Sequence, residues 1–238
     1  MKRIHTILMV MCLLIVLNTS AQVQWGIRAG ANFSNVLAKD EQGNKQSTSL
    51  LTGFHAGITA DLNITRDFYI QPGLLFSTKG YKYSEAQGGI KAIGTEMPYY
   101  LEVPVNLLFK PQLGTGRVLA GVGPYISYGI GGSWKIAATE GSSSLSQKGK
   151  LNFKNDITGA YLDSTNGGGA FGIAETQTYG KPLDAGFSAL LGYEFAQNFY
   201  FQANGQLGLL NITPTVKGIS SGYVQKNRQF GVSVGYKF

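Results

Sequence analysis

The chain has 238 residues, of which only 14% are charged, with 33 glycines and 13 each of tyrosine and phenylalanine. An ordinary soluble domain carries about a quarter charged residues, so this composition points elsewhere. The formal charge of +7 is too dispersed for a nucleic-acid surface, the single cysteine excludes a disulfide scaffold, and an all-β unit of this length is expected to be one domain.

The first 21 residues read as a removable signal peptide. Lys2 and Arg3 supply a basic start, Ile7 to Leu17 an apolar run, and "NTSA" a small-residue cleavage site after Ala21. The apolar run is short of the roughly 20 residues that cross a bilayer. Cys12 lies inside it behind the bulky Met11, which argues against a lipid anchor, so residues 22–238 are expected as a cysteine-free exported domain.

Period-two alternation then predicts eight strands, at 24–35, 52–64, 68–79, 98–110, 117–129, 183–195, 199–211 and 227–238. Their connections alternate in length. "TRD" (65–67), "PQLGTG" (111–116) and "AQN" (196–198) are tight, whereas the other four are long, the longest running over 134–182. An up-and-down barrel with an even number of strands sorts its connections to opposite ends in this way. The expectation is an eight-stranded antiparallel transmembrane β-barrel with short periplasmic turns, long extracellular loops and both termini periplasmic.

One parity of every strand is apolar and free of Asp, Glu, Lys and Arg, as in Ile27, Ala29 and Ala31, or Leu101, Val103 and Val105. An arginine or lysine on a lipid face costs roughly 2–4 kcal/mol at the midplane, so that purity is what lipid demands. A soluble barrel with the apolar face inward would also alternate. Against it, the polar parity is too poor in charge for a soluble exterior, and aromatics such as Trp25, Phe33, Phe68, Tyr99, Phe109, Phe195 and Phe238 crowd the strand ends as two membrane-interface girdles would.

The segments "WGIRAGANFSNV" (25–36), "YYLEVPVNLLFK" (99–110), "AGVGPYISYGI" (120–130), "LDAGFSALLGYEF" (183–195) and "FGVSVGYKF" (230–238) together resemble the PorT-like outer-membrane β-barrel family of Bacteroidota-type bacteria. The resemblance covers most of the chain after the leader, apart from the longest connection. It implies an eight-stranded barrel in the bacterial outer membrane, with Tyr236 and Phe238 part of a C-terminal signal read by the barrel-assembly machinery. It implies no particular activity.

Eight strands enclose a space that side chains fill. The inward parity supplies them, among others Asn32, Gln71, Lys79, Asn106, Tyr125, Asp184, Tyr200 and Gln206. Arg28, Asp61, Lys110, Arg117, Glu194 and Lys237 are expected together toward the periplasmic end, with Glu102 as a further member of one lumen polar network. Such a network is either a structural plug or an ion path, and the narrow lumen favours the plug. His55, the only histidine after the leader, is expected inward near the outer rim, within range of Glu102 and Asp184. No hydroxyl at short spacing makes it a Ser-His pair, so no catalytic centre, cofactor or metal site is expected. Glycine runs such as "YGIGGSW" (128–134) open no helix and carry no phosphate-loop lysine.

The connection 134–182 is polar and glycine-rich, with "KLNFK" and "GAYLDS" as candidate hairpin strands, and is read either as a binding surface or as a tether. Lys82, Lys217, Lys226 and Arg228 fall where phosphorylated lipopolysaccharide would face them, or are plain solvated loop charge. The leading expectation is a surface-interaction or structural protein acting through its loops, with outer-membrane lipid, lipopolysaccharide and a partner at 134–182 as contacts and no nucleic acid. The alternatives are a component or assembly factor of an envelope secretion machine, and a lipid-modifying enzyme at His55.

Overall fold

The computed structural model describes residues 23–87, 90–140, 143–157 and 175–238, so the expected leader at 1–21 and the segment "GAYLDS" lie outside the described residues. In chain order the strands are β1 (Val23–Lys39), β2 (Leu51–Thr65), β3 (Phe68–Thr78), β4 (Tyr81–Gln87), β5 (Ile90–Phe109), β6 (Gln112–Leu113), β7 (Gly116–Glu140), β8 (Ser143–Phe153), β9 (Asp156–Ile157), β10 (Thr176–Gly180), β11 (Leu183–Glu194), β12 (Phe199–Gly208), β13 (Thr215–Val216) and β14 (Val224–Lys237).

Eight of these close a ring of antiparallel neighbours, β1-β2-β3-β5-β7-β11-β12-β14, and β14 returns to β1. The closing ladder runs from Gly26 opposite Lys237 to Lys39 opposite Val224, so neither end strand is left with an open edge within the barrel. Each of the eight rests on one of the expected segments.

Side-chain direction follows the alternation. Ile58, Leu74, Val103, Leu107, Val122, Leu191, Phe201, Val232 and Val234 are exposed, whereas Asn32, Asp61, Gln71, Glu102, Lys110 and Lys237 are buried. A chain that buries its charges and exposes its valines is inside-out for water and correctly sorted for hydrocarbon.

The outward aromatics pair in two belts. At the short-turn end Phe68 meets Phe109 at 5.0 Å and Phe199 meets Tyr236 at 4.8 Å; at the other, Phe54, Phe76 and Tyr99 follow one another at 5.6 and 5.8 Å, and Phe33 stacks on Phe230 at 6.4 Å. The short turns are tight for local reasons. At 196–198 Asn198 takes the left-handed conformation (φ 64°) that asparagine tolerates, and the Phe195 amide donates to the Phe199 carbonyl at 2.7 Å.

Beyond the second belt the barrel becomes a wall. β5 begins at Ile90 rather than 98 and β7 runs to Glu140 rather than 129, so residues 134–140, expected in the long loop, are strand. A bulge at Ile130, between the pairs Tyr99–Gly131 and Tyr100–Gly129, marks the change. Above it β4 pairs with β5, β5 with β7, β7 with β8, and β8 with β10 in parallel. "KLNFK" contributes to β8, whose antiparallel partner is β7.

Candidate functional site

Two places gather chemistry: the lumen, and a cleft where the wall curls over it. In the lumen the buried charges are Arg28, Lys79, Lys110 and Lys237 against Asp61, Glu102, Asp184 and Glu194, equal in number and opposite in sign. All of them but Arg28 form two ion-paired groups at different heights rather than one network.

The lower group sits beside the short turns, where Lys110, Glu194 and Lys237 end or follow their strands. Lys110 Nζ lies 2.8 Å from Asp61 and 3.0 Å from Glu194, and Lys237 Nζ bridges the same two carboxylates. Gln71 Nε2 donates to the other Asp61 oxygen at 2.7 Å. The ammonium of Lys110 also stands over the Tyr69 ring at 4.6 Å and that of Lys237 over Tyr200 at 5.1 Å. Those rings belong to the apolar packing of Leu108, Leu119 and Leu190.

The upper group lies at the long-connection end. Lys79, just past β3, pairs with Glu102 at 2.9 Å and with Asp184 at 3.5 Å, and stands 4.4 Å from the centre of the Tyr125 ring. Gln206 Nε2 donates to Glu102, and Asn227 Nδ2 to Asp184 at 2.9 Å.

The single-network expectation is therefore corrected in three ways. Glu102 belongs to the upper group with Lys79 and Asp184, two residues placed inward by parity but left out of the network. Arg117 is half-exposed at the rim, where its Nη1 donates to the Tyr69 hydroxyl at 2.9 Å. Arg28 is buried but makes no ion pair among the described residues. Parity assigns a side chain to the lumen; height depends on strand tilt and stagger, and that is what separates the two groups.

His55 is buried, with its Nδ1 2.6 Å from Asn32 Oδ1, while Glu102 and Asp184, expected to orient it, are held by Lys79. Asn32 in turn donates to the Ser77 hydroxyl at 3.0 Å and to the Thr78 carbonyl at 3.2 Å. At the C-terminus the Phe238 amide donates to the Trp25 carbonyl at 2.9 Å, and Tyr236 and Phe238 both face outward in the lower belt.

Above the upper group the mouth is closed. Trp134, Leu151, Tyr179 and Ile212 form a buried apolar cap, with Tyr81, Ile136 and Phe153 packed against it. The Phe153 ring lies where a Cβ on Gly129 would come within 2.3 Å of it, so glycine at 129 is what admits that ring into the barrel mouth. Phe153 meets Tyr100 at 5.3 Å and Tyr179 at 5.8 Å. The Tyr179 hydroxyl donates to Asn227 at 3.4 Å, linking the cap to the upper ion group.

Outside this cap, between β4 and β10, opens a cleft of about 800 Å³. Its walls carry Tyr81, Tyr83, Glu85, Glu96, Thr178, Tyr179, Tyr223 and Gln225, and the segment 46–48 closes one side. Glu96, three residues beyond the Tyr99 belt, is pushed up to about 7, first by burial, with a hydrogen bond from Tyr81 acting against it. Nothing in the alternation marks this cleft, because its side chains come from segments with no shared period. The repeated tyrosines of "YKYSE" are the one signal that was there to read.

The family model of the outer membrane protein beta-barrel domain matches residues 18–214. Among solved structures the chain is similar to Ail, the attachment invasion locus protein of Yersinia pestis, at 13% identity over 90% of this chain and 98% of that one, with a TM-score of 0.39. It is likewise similar to Neisserial surface protein A, at 13% identity over 90% and 97% with a TM-score of 0.39, and to OprG of Pseudomonas aeruginosa, at 13% over 92% and 97% with a TM-score of 0.39. No curated protein matches the sequence.

Proposed function

The chain belongs to the outer membrane protein β-barrel domain family and resides in the bacterial outer membrane, and from that premise we propose that it is a plugged barrel that acts at the cell surface. The wall and cleft above the second aromatic belt are the interacting part. The lumen is the support. The observation that carries this reading is the pairing, among the described residues, of all buried charges but Arg28 into two groups, with an apolar cap over the upper one. A narrow lumen crossed by two such groups and covered by an apolar cap is filled by side chains rather than left as an open aqueous channel. The short turns and both termini then face the periplasm. Within the family, the five segments quoted above support the narrower PorT-like placement, and the outward Tyr236 and Phe238 suit a C-terminal assembly signal.

Intact cells treated with an external protease test the orientation and the surface role. Cleavage within β8 with protection of a tag after Phe238 is expected; the reverse pattern overturns the reading. Planar-bilayer recordings test the plug, where a stable pore of large conductance would contradict it.

A further inference from the structure

We propose that the cleft between β4 and β10 binds an uncharged, hydroxyl-rich oligosaccharide, an assignment that rests on the surface role given above. The first ground is an aromatic row. The Tyr83 ring occupies the space that a Cβ on Gly94 would take, 2.0 Å from its nearest atom, so glycine at 94 seats this ring in the cleft wall. Tyr81 continues the row at 6.1 Å from Tyr83 and is backed at 6.4 Å by the buried Tyr179 of the cap. A sugar ring has an apolar C–H face and a hydroxyl rim. Tyrosine, with an apolar face and a polar tip, matches both.

The second ground is the polar lining. Glu85, Glu96 and Gln225 stand beside the rings as hydrogen-bonding partners for hydroxyls, and the Thr213 hydroxyl in the same cleft is buried with no protein partner. The third is charge. Lys39 is the lone cation among the described lining residues and is matched by Glu85, so the cleft offers no net positive charge to a sulfated or uronic polymer. Strand addition by a peptide is hindered at the β4 edge, where Lys82 already exchanges backbone hydrogen bonds of 2.7 and 3.0 Å with Ser49. One wall is the antiparallel β4–β5 ladder and the other the parallel β8–β10 pair, so backbone hydrogen bonds hold both in place before any ligand arrives.

The test uses the full chain folded in lipid nanodiscs. It is titrated with short oligomers of neutral glucans, mannans and galactans, and with sulfated oligosaccharides, an organic ammonium ion and an extended peptide as contrasts. Saturable binding of a neutral oligomer is expected, about tenfold weaker in Tyr83→Ala and retained in Tyr83→Phe. Gly94→Val, which unseats the ring, should weaken it similarly while heat-dependent gel mobility reports an intact barrel. Absence of neutral-oligomer binding, binding that ignores Tyr83→Ala, or binding confined to the anionic, cationic or peptide probes would each overturn the proposal. None of these results touches the protease pattern on cells, so the surface role and the ligand class fail separately.

Discussion

The barrel below the Tyr99 belt and the wall above it are built from the same strands under different solvents, and each obeys its own rule. In the barrel outward positions meet hydrocarbon and inward ones a closed lumen, so side chains are sorted by parity, and every buried charge among the described residues but Arg28 has an ionic partner. In the wall the outer face of β5 and β7 is freed from hydrocarbon, so exposed Ile93 coexists with exposed Lys91 and Lys135. Hydrogen bonding unites the two regions; what divides them is the penalty for a misplaced charge.

The largest effect should come from breaking the lower ion group. Asp61→Ala leaves Lys110 and Lys237 sharing Glu194 alone, an uncompensated buried cation, and is expected to cost about 3–5 kcal/mol. Denaturant unfolding of the protein in lipid measures it. Truncating a wall carboxylate, Glu85→Ala, removes only an exposed charge and should shift the same transition by less than about 0.5 kcal/mol. Equal losses for the two would dissolve the contrast.

A second pair sharpens it on the outer surface. Val232 and Ile93 are similarly exposed, at 44% and 49%, and solvent accessibility alone makes them look alike. Arginine at 232 enters hydrocarbon and should cost roughly 2–4 kcal/mol, whereas arginine at 93 enters water and should be within about 0.5 kcal/mol of neutral. The comparison reads the position of the membrane boundary directly.

That boundary also decides what could be read from the chain. The eight barrel strands are legible because lipid enforces a clean two-residue period, as in Phe230, Val232, Val234 and Tyr236. The extensions of β5 to Ile90 and of β7 to Glu140 are not, since beyond the Ile130 bulge no second solvent imposes that period. Parity placed the buried charges, Lys79 and Asp184 included, but it also put Arg117 in the lumen, and that side chain is half-exposed at the rim. The division of the charges into two groups was not legible, because Lys79 just past β3, Glu102 on β5 and Asp184 on β11 take their relative height from the stagger of the closed ring. The cleft was least legible, being assembled from β4, β10 and the segments near 46 and 213–225, which are distant in sequence and share no pattern.

The smallest effect, and the one most specific to the wall, is a pH dependence at Glu96. Its carboxyl faces the cleft with Tyr81 as hydrogen-bond donor from β4, with Tyr83 and Glu85 on the same strand, and Trp134 opposite on β7. Burial raises its value from 4.5 to about 7, so between those two pH values the folded wall holds a proton that the unfolded chain has released. Stability from this group is therefore complete below pH 4.5, declines as pH rises toward about 7, and stays at the lower level above it. Limited proteolysis of the β4–β5 hairpin should accelerate over that window while the barrel ladder β1–β14, measured by amide exchange, stays unchanged. Glu96→Gln, which keeps a neutral side chain at every pH, should abolish the acceleration; a pH response that survives this substitution would place the titrating group elsewhere in the wall.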